Sequence, residues 1–177
     1  MRKLKNEELN RLSLEEYRNK EKHPVVVVLD NIRSLNNIGS IFRTADAFRI
    51  EEIHLCGITA RPPHRDIQKT ALGATESVAW EYFEETELSI QKLRKDSFRI
   101  YSIEQAENSI ALENLDVKKQ MKIAVVFGHE VKGVQQKIID MSDACIEIPQ
   151  YGTKHSFNVT VSVGIVLWEV IRKVKQL

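Results

Sequence analysis

The sequence predicts an α/β fold in which a mostly parallel sheet carries helices on both faces. From Pro24 onward, short apolar runs rich in β-branched residues recur at 25–29, 53–56, 78–83, 99–103, 123–127 and 145–148. Segments of helical period separate them, and strands that alternate with helices in this way are covered on both sides.

Residues 1–22 precede the first run and read as a basic amphipathic helix or arm, with Leu9, Leu12 and Tyr17 at loosely helical spacing. Residues 23–177 are expected to form a single domain, since 177 residues of which 42% are apolar can bury one ordinary core. After the first run, Asn36 and Asn37 are candidate caps for a helix whose apolar face is Ile38, Ile41, Phe42, Ala45 and Phe48. Val134, Ile138 and Met141 mark another helix. The last element, 156–174, has Val159, Val163, Val166, Val170 and Val174 on one stripe and Val161, Ile165, Leu167 and Trp168 off it. So wide an apolar circumference points to burial on more than one side, as in a dimer interface.

The apolar runs are far shorter than the ~20 residues a bilayer span needs, and 1–5 leads into no apolar signal core, so the expectation is a soluble cytoplasmic protein without membrane partners. Cys56 and Cys145 lie in strand-like runs and read as buried structural thiols in a reducing compartment. A net charge of +1 supplies no global field for a polyanion, so contact with nucleic acid must come from local patches.

Several common chemistries are excluded by spacing. Gly128 and Gly133 have the glycine spacing of a phosphate loop, but Val134 and Gln135 stand where that loop needs Lys and Ser or Thr. His129-Glu130 begins a zinc-helix pattern that Gly133 ends, the other histidines are scattered, and no metal is expected. Neither a G-x-G-x-x-G fingerprint nor a G-x-S-x-G elbow occurs.

Three segments place polar residues and glycine just after a predicted strand, where open parallel sheets bind ligands. They are 36–44 (NNIGSIFRT), 127–133 (FGHEVKG) and 148–152 (IPQYG) continuing into 156–159 (SFNV). Each has an ordinary reading: a capped helix with a surface Arg43, a glycine turn beside a helix-terminus Glu130, and an N-cap and first-turn polar residue at Ser156 and Asn158. In this order and spacing, however, they resemble the three motifs of the SpoU (TrmH-like) family of knotted SPOUT methyltransferases, with 69–74 (KTALGA) also similar. The similarity runs from about Pro24 to the C-terminus.

That resemblance implies a C-terminal trefoil knot, a homodimer, and methyl transfer from S-adenosylmethionine to a ribose 2′-hydroxyl of tRNA or rRNA. It implies Ile103, Gly128, Ile148, Gly152 and Phe157 as donor-binding positions, and Asn37, Arg43, Glu130, Ser156 and Asn158 as the catalytic set. An arginine acting as base is physically demanding: with a pKa near ~13, its neutral form at pH 7 costs about 8 kcal/mol. A positioning role for Arg43, gripping a phosphate and stabilising developing alkoxide charge while Glu130 holds it, is the expectation.

His129 stands where many relatives carry Asn. Many relatives also add an RNA-binding domain, so RNA contact, with no DNA expected, falls to the catalytic domain and the arm. Arg61, His64, Arg65 and Lys69, in a proline-stiffened stretch at the ligand edge, are the main candidates, followed by Arg2, Lys3, Lys5, Arg11 and Arg18 in the arm. The competing reading is a non-catalytic donor- and RNA-binding module acting in RNA folding or ribosome assembly. Presence of all the polar motif residues favours turnover.

Overall fold

The computed structural model describes residues 1–176. After a 3-10 turn at Asn6–Leu9, the elements run α1 (Leu14–Asn19), β1 (His23–Asp30), α2 (Leu35–Phe48), β2 (Ile50–Cys56), α3 (Arg65–Ala71), α4 (Ala74–Ser77) and β3 (Ala79–Phe83). They continue α5 (Thr86–Lys95), β4 (Arg99–Ile103), β5 (Ile110–Ala111), a 3-10 turn (Leu112–Asn114), β6 (Ile123–Gly128), α6 (Gln136–Asp140), β7 (Ala144–Glu147) and α7 (Val159–Lys175). The seven strands make one sheet in the order β3-β2-β1-β6-β4-β7-β5, and every pairing is parallel.

Continuous apolar strands follow from that architecture, because both faces of β1 are covered. Val25, Val27 and Leu29 join the larger core with α2, α3 and α7, whereas Val26 and Val28 pack with Ile90 and Leu93 of α5 and Ile138 of α6. The chain leaves the two central strands in opposite directions, β1 toward β2 and β6 toward β7. That divergence opens a crevice at their C-terminal ends, the usual ligand position in an open parallel sheet.

Three local expectations need correction. Asn36 and Asn37 lie inside α2, whose N-cap is Ser34: its Oγ accepts the Asn37 N–H at 3.3 Å. The arm is not one helix but a 3-10 turn and α1, separated by extended chain. Within it Tyr17 is buried while Leu9 and Leu12 stay exposed, and the Arg18 guanidinium donates to the Glu76 carbonyl at 2.7 and 3.1 Å. Cys56 is fully buried, and its thiol is pushed up to about 12, chiefly by desolvation, but Cys145 is only half-buried. Among the described residues no helix is long and apolar enough to cross a membrane.

One polar group lies within the core at the end of β1. The fully buried Asp30 accepts from Thr86 Oγ1 (2.7 Å), Asn31 Nδ2 (2.9 Å), Gln135 Nε2 (2.6 Å) and the Gln135 backbone N–H (3.0 Å). A buried carboxylate is tolerated only with such partners. Asp30→Asn turns one acceptor oxygen into a donor amide facing a donor. We predict a loss of about 1–3 kcal/mol in chemical denaturation, with a melting midpoint lower by roughly 2–4 °C per kcal/mol. An unchanged midpoint would contradict the assigned network.

Candidate functional site

The C-terminal ends of β4, β6 and β7 and the segment before α7 enclose a cleft of about 600 Å3. Ile103, Phe127, Ile148, Phe157 and Val159 give it apolar walls, and Glu104, Gln105, the 128–133 turn, His155, Ser156 and Asn158 give it polar ones. Its size and mixed lining suit a small organic ligand with a flat apolar part.

The turn after β6 is closed by reciprocal backbone hydrogen bonds between His129 and Gly133, at 3.1 and 2.8 Å. His129 Nδ1 accepts the N–H groups of Val131 (3.0 Å) and Lys132 (3.3 Å), so the histidine caps the turn as a short amide side chain would. Gly128 is required by this packing, for a Cβ there would collide with the backbone of Gly133 and Val134.

Glu130 reaches from the turn to the start of α2. Its carboxylate accepts the N–H groups of Arg33 (3.1 Å) and Ser34 (3.0 Å) and Asn37 Nδ2 (3.1 Å). Partial desolvation pushes its pKa up. The hydrogen bonds, including one from its own N–H, outweigh this and hold it below the usual glutamate range.

Asn158 is the N-cap of α7: Oδ1 accepts Thr160 N–H at 2.8 Å and Thr160 Oγ1 at 2.6 Å. That cap fixes where the exposed Ser156 and Phe157 enter the cleft. Gln105 Nε2 donates to the His155 carbonyl at 2.7 Å, joining the loop after β4 to the same segment.

The structure places Glu130, Ser156 and Asn158, with Ile103, Gly128, Ile148 and Phe157, in the lining of one cleft, and Asn37 behind it, joined through Glu130. Two residues stand apart. Gly152 is exposed and outside the lining. Arg43 is exposed beside a second cleft between α2 and the arm, and among the described residues no arginine lines the first. The expected Glu130–Arg43 pairing is thus not made within one chain. Six residues separate Asn37 from Arg43, about 600° of helix, so the two side chains leave α2 on different faces.

The C-terminal-edge cleft, the interlocked motif turns and the parallel sheet can be set against known proteins. The profile of the SpoU rRNA methylase family matches residues 24–168. The chain belongs to the SpoU family. It is similar to a tRNA (guanosine(18)-2'-O)-methyltransferase of Borreliella burgdorferi, 26% identical over 149 residues that are 84% of this chain and 66% of that protein. The chain spans about two thirds of the length of the curated SpoU-type relatives it matches. Among solved structures, the A. aeolicus TrmH/SpoU tRNA modifying enzyme shares the fold (TM-score 0.81, 24% identity, 92% of this chain and 81% of that one). An AdoMet-bound rRNA methyltransferase from Sinorhizobium meliloti is also similar (TM-score 0.79, 26% identity, 89% of this chain and 59% of that one).

In this SpoU chain the RNA candidates form one exposed stretch. Arg61 stacks on the Tyr82 ring at 4.4 Å, His64 caps α3 by accepting Asp66 N–H at 3.2 Å, and Arg65 and Lys69 project from α3. The α3 helix approaches α2 closely because Gly39 has no side chain: a Cβ would collide with Thr70 Oγ1 and the Ile67 carbonyl.

The resemblance points to Ile103 and the turn after it but not to the side chains of Glu104 and Gln105, and nothing in the sequence singles out His155 or Ser34. Glu104 and Gln105 follow a strand like the recognised motifs, but without the glycine that drew attention to those. Sequence reasoning also missed that Glu52, His54 and Glu81 converge, their ligand atoms within 4.8 Å of one another, although far from regular spacing. Lys92 Nζ supplies a cation there, 2.8 Å from Glu81 and 3.9 Å from Glu52, and His54 Nδ1 lies 2.7 Å from Ser89 Oγ.

The Glu130 tie has a predictable pH dependence. Its folded pKa lies below the unfolded value, so the tie is complete above the ordinary glutamate range and is lost as pH falls through the depressed value. The amide resonances of Arg33 and Ser34 should titrate together below that range in an NMR pH series, and the transition should vanish in Glu130→Gln. A midpoint at or above the ordinary value would refute the assignment.

Proposed function

We propose that this chain transfers a methyl group from S-adenosylmethionine to a ribose 2′-hydroxyl of tRNA or rRNA in the cytoplasm. The observation that carries the reading is the cleft itself: two motif segments of a SpoU-family chain, 127–133 and 148–159, line a space of about 600 Å3, and Glu130 ties the third, at the start of α2, to its rim. The Borreliella burgdorferi relative is named a tRNA 2'-O-methyltransferase, and the Sinorhizobium meliloti neighbour is AdoMet-bound.

The residues fit such a donor. Ile103, Phe127, Ile148 and Phe157 offer a slot for a flat adenine, and main-chain groups of the Gly128–Gly133 turn and of the segment before α7 offer hydrogen bonds at its edge. When bound, the donor supplies an electrophilic methyl on a cationic sulfur. The protein's part is chiefly to hold the ribose oxygen in line with it. The exposed Arg61, Arg65 and Lys69 grip RNA phosphates, and Arg43 grips the phosphate beside the target ribose. As the oxygen–carbon bond forms and the sulfur–methyl bond breaks, leaving S-adenosylhomocysteine as the neutral thioether, the hydroxyl proton would leave to phosphate or water, and the Arg43 guanidinium stabilises the developing charge.

Arg43 reaches the cleft in a homodimer, in our reading, from the second copy. The support is that one chain leaves Arg43 apart from Glu130, while α7 presents an unpartnered apolar strip. Trp168 is 64% and Val161 47% exposed, beside Ile165 and the loop residues Ile148 and Pro149. We also read residues 148–158 as threading a knot. Residues 104–122 run out past β7 and return to β6, Gln105 holds His155, and Lys173 Nζ donates to the Leu115 (2.7 Å) and Glu113 (2.8 Å) carbonyls, so α7 lies against that same excursion.

Methyl-labelled donor and unmodified total RNA test the reaction: digestion should yield a labelled 2′-O-methyl nucleoside. Arg43→Ala should cut the rate about 100-fold or more, as loss of a charge-stabilising donor does. Arg43→Lys should fall about tenfold or more, because a point charge replaces a planar fork. Donor binding without any transfer would turn the assignment to a non-catalytic RNA-binding module. In analytical ultracentrifugation the wild type should sediment as a pair of chains and Trp168→Glu as single ones; a monomeric wild type would overturn the dimer.

A further inference from the structure

Two carboxylates line the cleft, and only one of them is committed to the protein. Glu130 spends its oxygens on the start of α2. Glu104, one residue beyond β4, is half-buried beside Ile103, and its side chain takes no hydrogen bond or ion pair among the described residues.

Its position is nevertheless well determined. The Glu104 N–H donates to the Ile146 carbonyl at 3.1 Å, and its own carbonyl accepts Cys145 Sγ at 3.3 Å. The side chain lies over Gly133, where a Cβ would collide with Oε1. Gly133, in the left-handed region at φ 69°, thus both closes the turn and leaves room for this carboxylate. An anchored, unengaged carboxylate facing a cleft is an acceptor in want of donors.

We propose that Glu104 recognises the ribose of the methyl donor, its two oxygens accepting hydrogen bonds from the 2′ and 3′ hydroxyls. The inference rests on the donor reading above. Ile103, Phe127 and Ile148 form the apolar slot, and Glu104 stands at the edge of that slot next to Ile103. The group attached to an adenine held there is its ribose. Two carboxylate oxygens match two vicinal O–H donors, the pairing by which acidic residues read nucleoside ribose elsewhere. A sulfonium, by contrast, carries no O–H or N–H to satisfy them. Burial pushes the Glu104 carboxyl up, so donor affinity weakens on acidification toward that raised value. His129, Glu130, Lys132 and His155 also face the cleft and Cys145 and Glu147 lie on the adjoining β7, so the Glu104 share is the part of the pH response that Glu104→Gln removes.

Calorimetry with S-adenosylhomocysteine, its 2′-deoxy analogue and S-adenosylmethionine, on the wild-type chain and Glu104→Gln, tests the pairing. Wild type should bind the parent about ten- to a hundredfold more tightly than the deoxy compound. Glu104→Gln should lose most of that discrimination, weakening the parent more than the deoxy compound, which has only its 3′ hydroxyl contact to lose. Glu104→Asp, which keeps the charge but shortens its reach, should also discriminate poorly, and melting midpoints establish that each variant is folded. Full discrimination retained in both variants overturns the proposal, as does a loss confined to S-adenosylmethionine, which would assign Glu104 to the sulfonium. If wild type binds neither ligand, the donor reading fails first; tight binding with a flat cycle removes this inference alone.

Discussion

The buried carboxylate of Asp30 is the contact on which the shape of the cleft depends. It sits at the end of the central strand β1, where water cannot solvate it, so its charge is acceptable only while all its donors stay in place. Those donors come from the start of α5, from Asn31 and from Gln135. Gln135 lies two residues beyond the 128–133 turn, so Asp30 anchors that turn to β1. Asn31, held in the left-handed region at φ 61°, carries the linkage on to β2: its Oδ1 accepts the Ile58 N–H at 3.1 Å, and Gly57 has no Cβ to obstruct it. Three strand ends are thereby locked before any ligand arrives.

From that anchor, close approaches of backbone arrange the rest. Gly128 lets the turn fold back on Gly133 and Val134, and Gly39 lets α3 lie against α2. The first approach shapes the cleft, and the second sets the basic α3 beside the helix that carries Asn37 and Arg43. Glu130 then spans the two regions by holding the N–H groups at the start of α2. Such a site owes its geometry to packing constraints at glycine and one buried charge, more than to the polar residues that line it.

Much of this was legible in the sequence wherever the signal was local. Residues 99–103 were read as a strand and form β4, and β-branched runs with helical segments between them announced a parallel sheet. The two-residue β5 has too few positions for any period to show. Ser34 was passed over as a cap because Asn36 and Asn37 stand nearer the first apolar residue, yet the cap is set by which oxygen reaches the Asn37 N–H. Ordered motifs point to Glu130, Ser156 and Asn158, which line one cleft, and to Asn37, which touches it only through Glu130. Placing Arg43 with them required knowing the phase of α2 and what stands opposite it, neither of which linear spacing contains. Asp30 lies just past the apolar run 25–29 in no motif, and Glu104 has no glycine beside it; both matter through partners distant in sequence.

The two cleft carboxylates illustrate how environment divides labour between like groups. Both suffer desolvation. At Glu130 hydrogen bonds overcome it and depress the pKa; at Glu104 nothing does, and the pKa rises. A carboxylate whose acceptor sites are filled by backbone N–H groups is a strut, and moving it to hold a ligand would leave those donors unpaired. A carboxylate raised in pKa and without partners gains the most from meeting a donor, because the ligand's hydroxyls offset a desolvation already incurred in the free protein. The same physics that makes Glu130 the brace between turn and helix therefore leaves Glu104 as the cleft's free acceptor, and Gly133, by lacking a side chain, serves both.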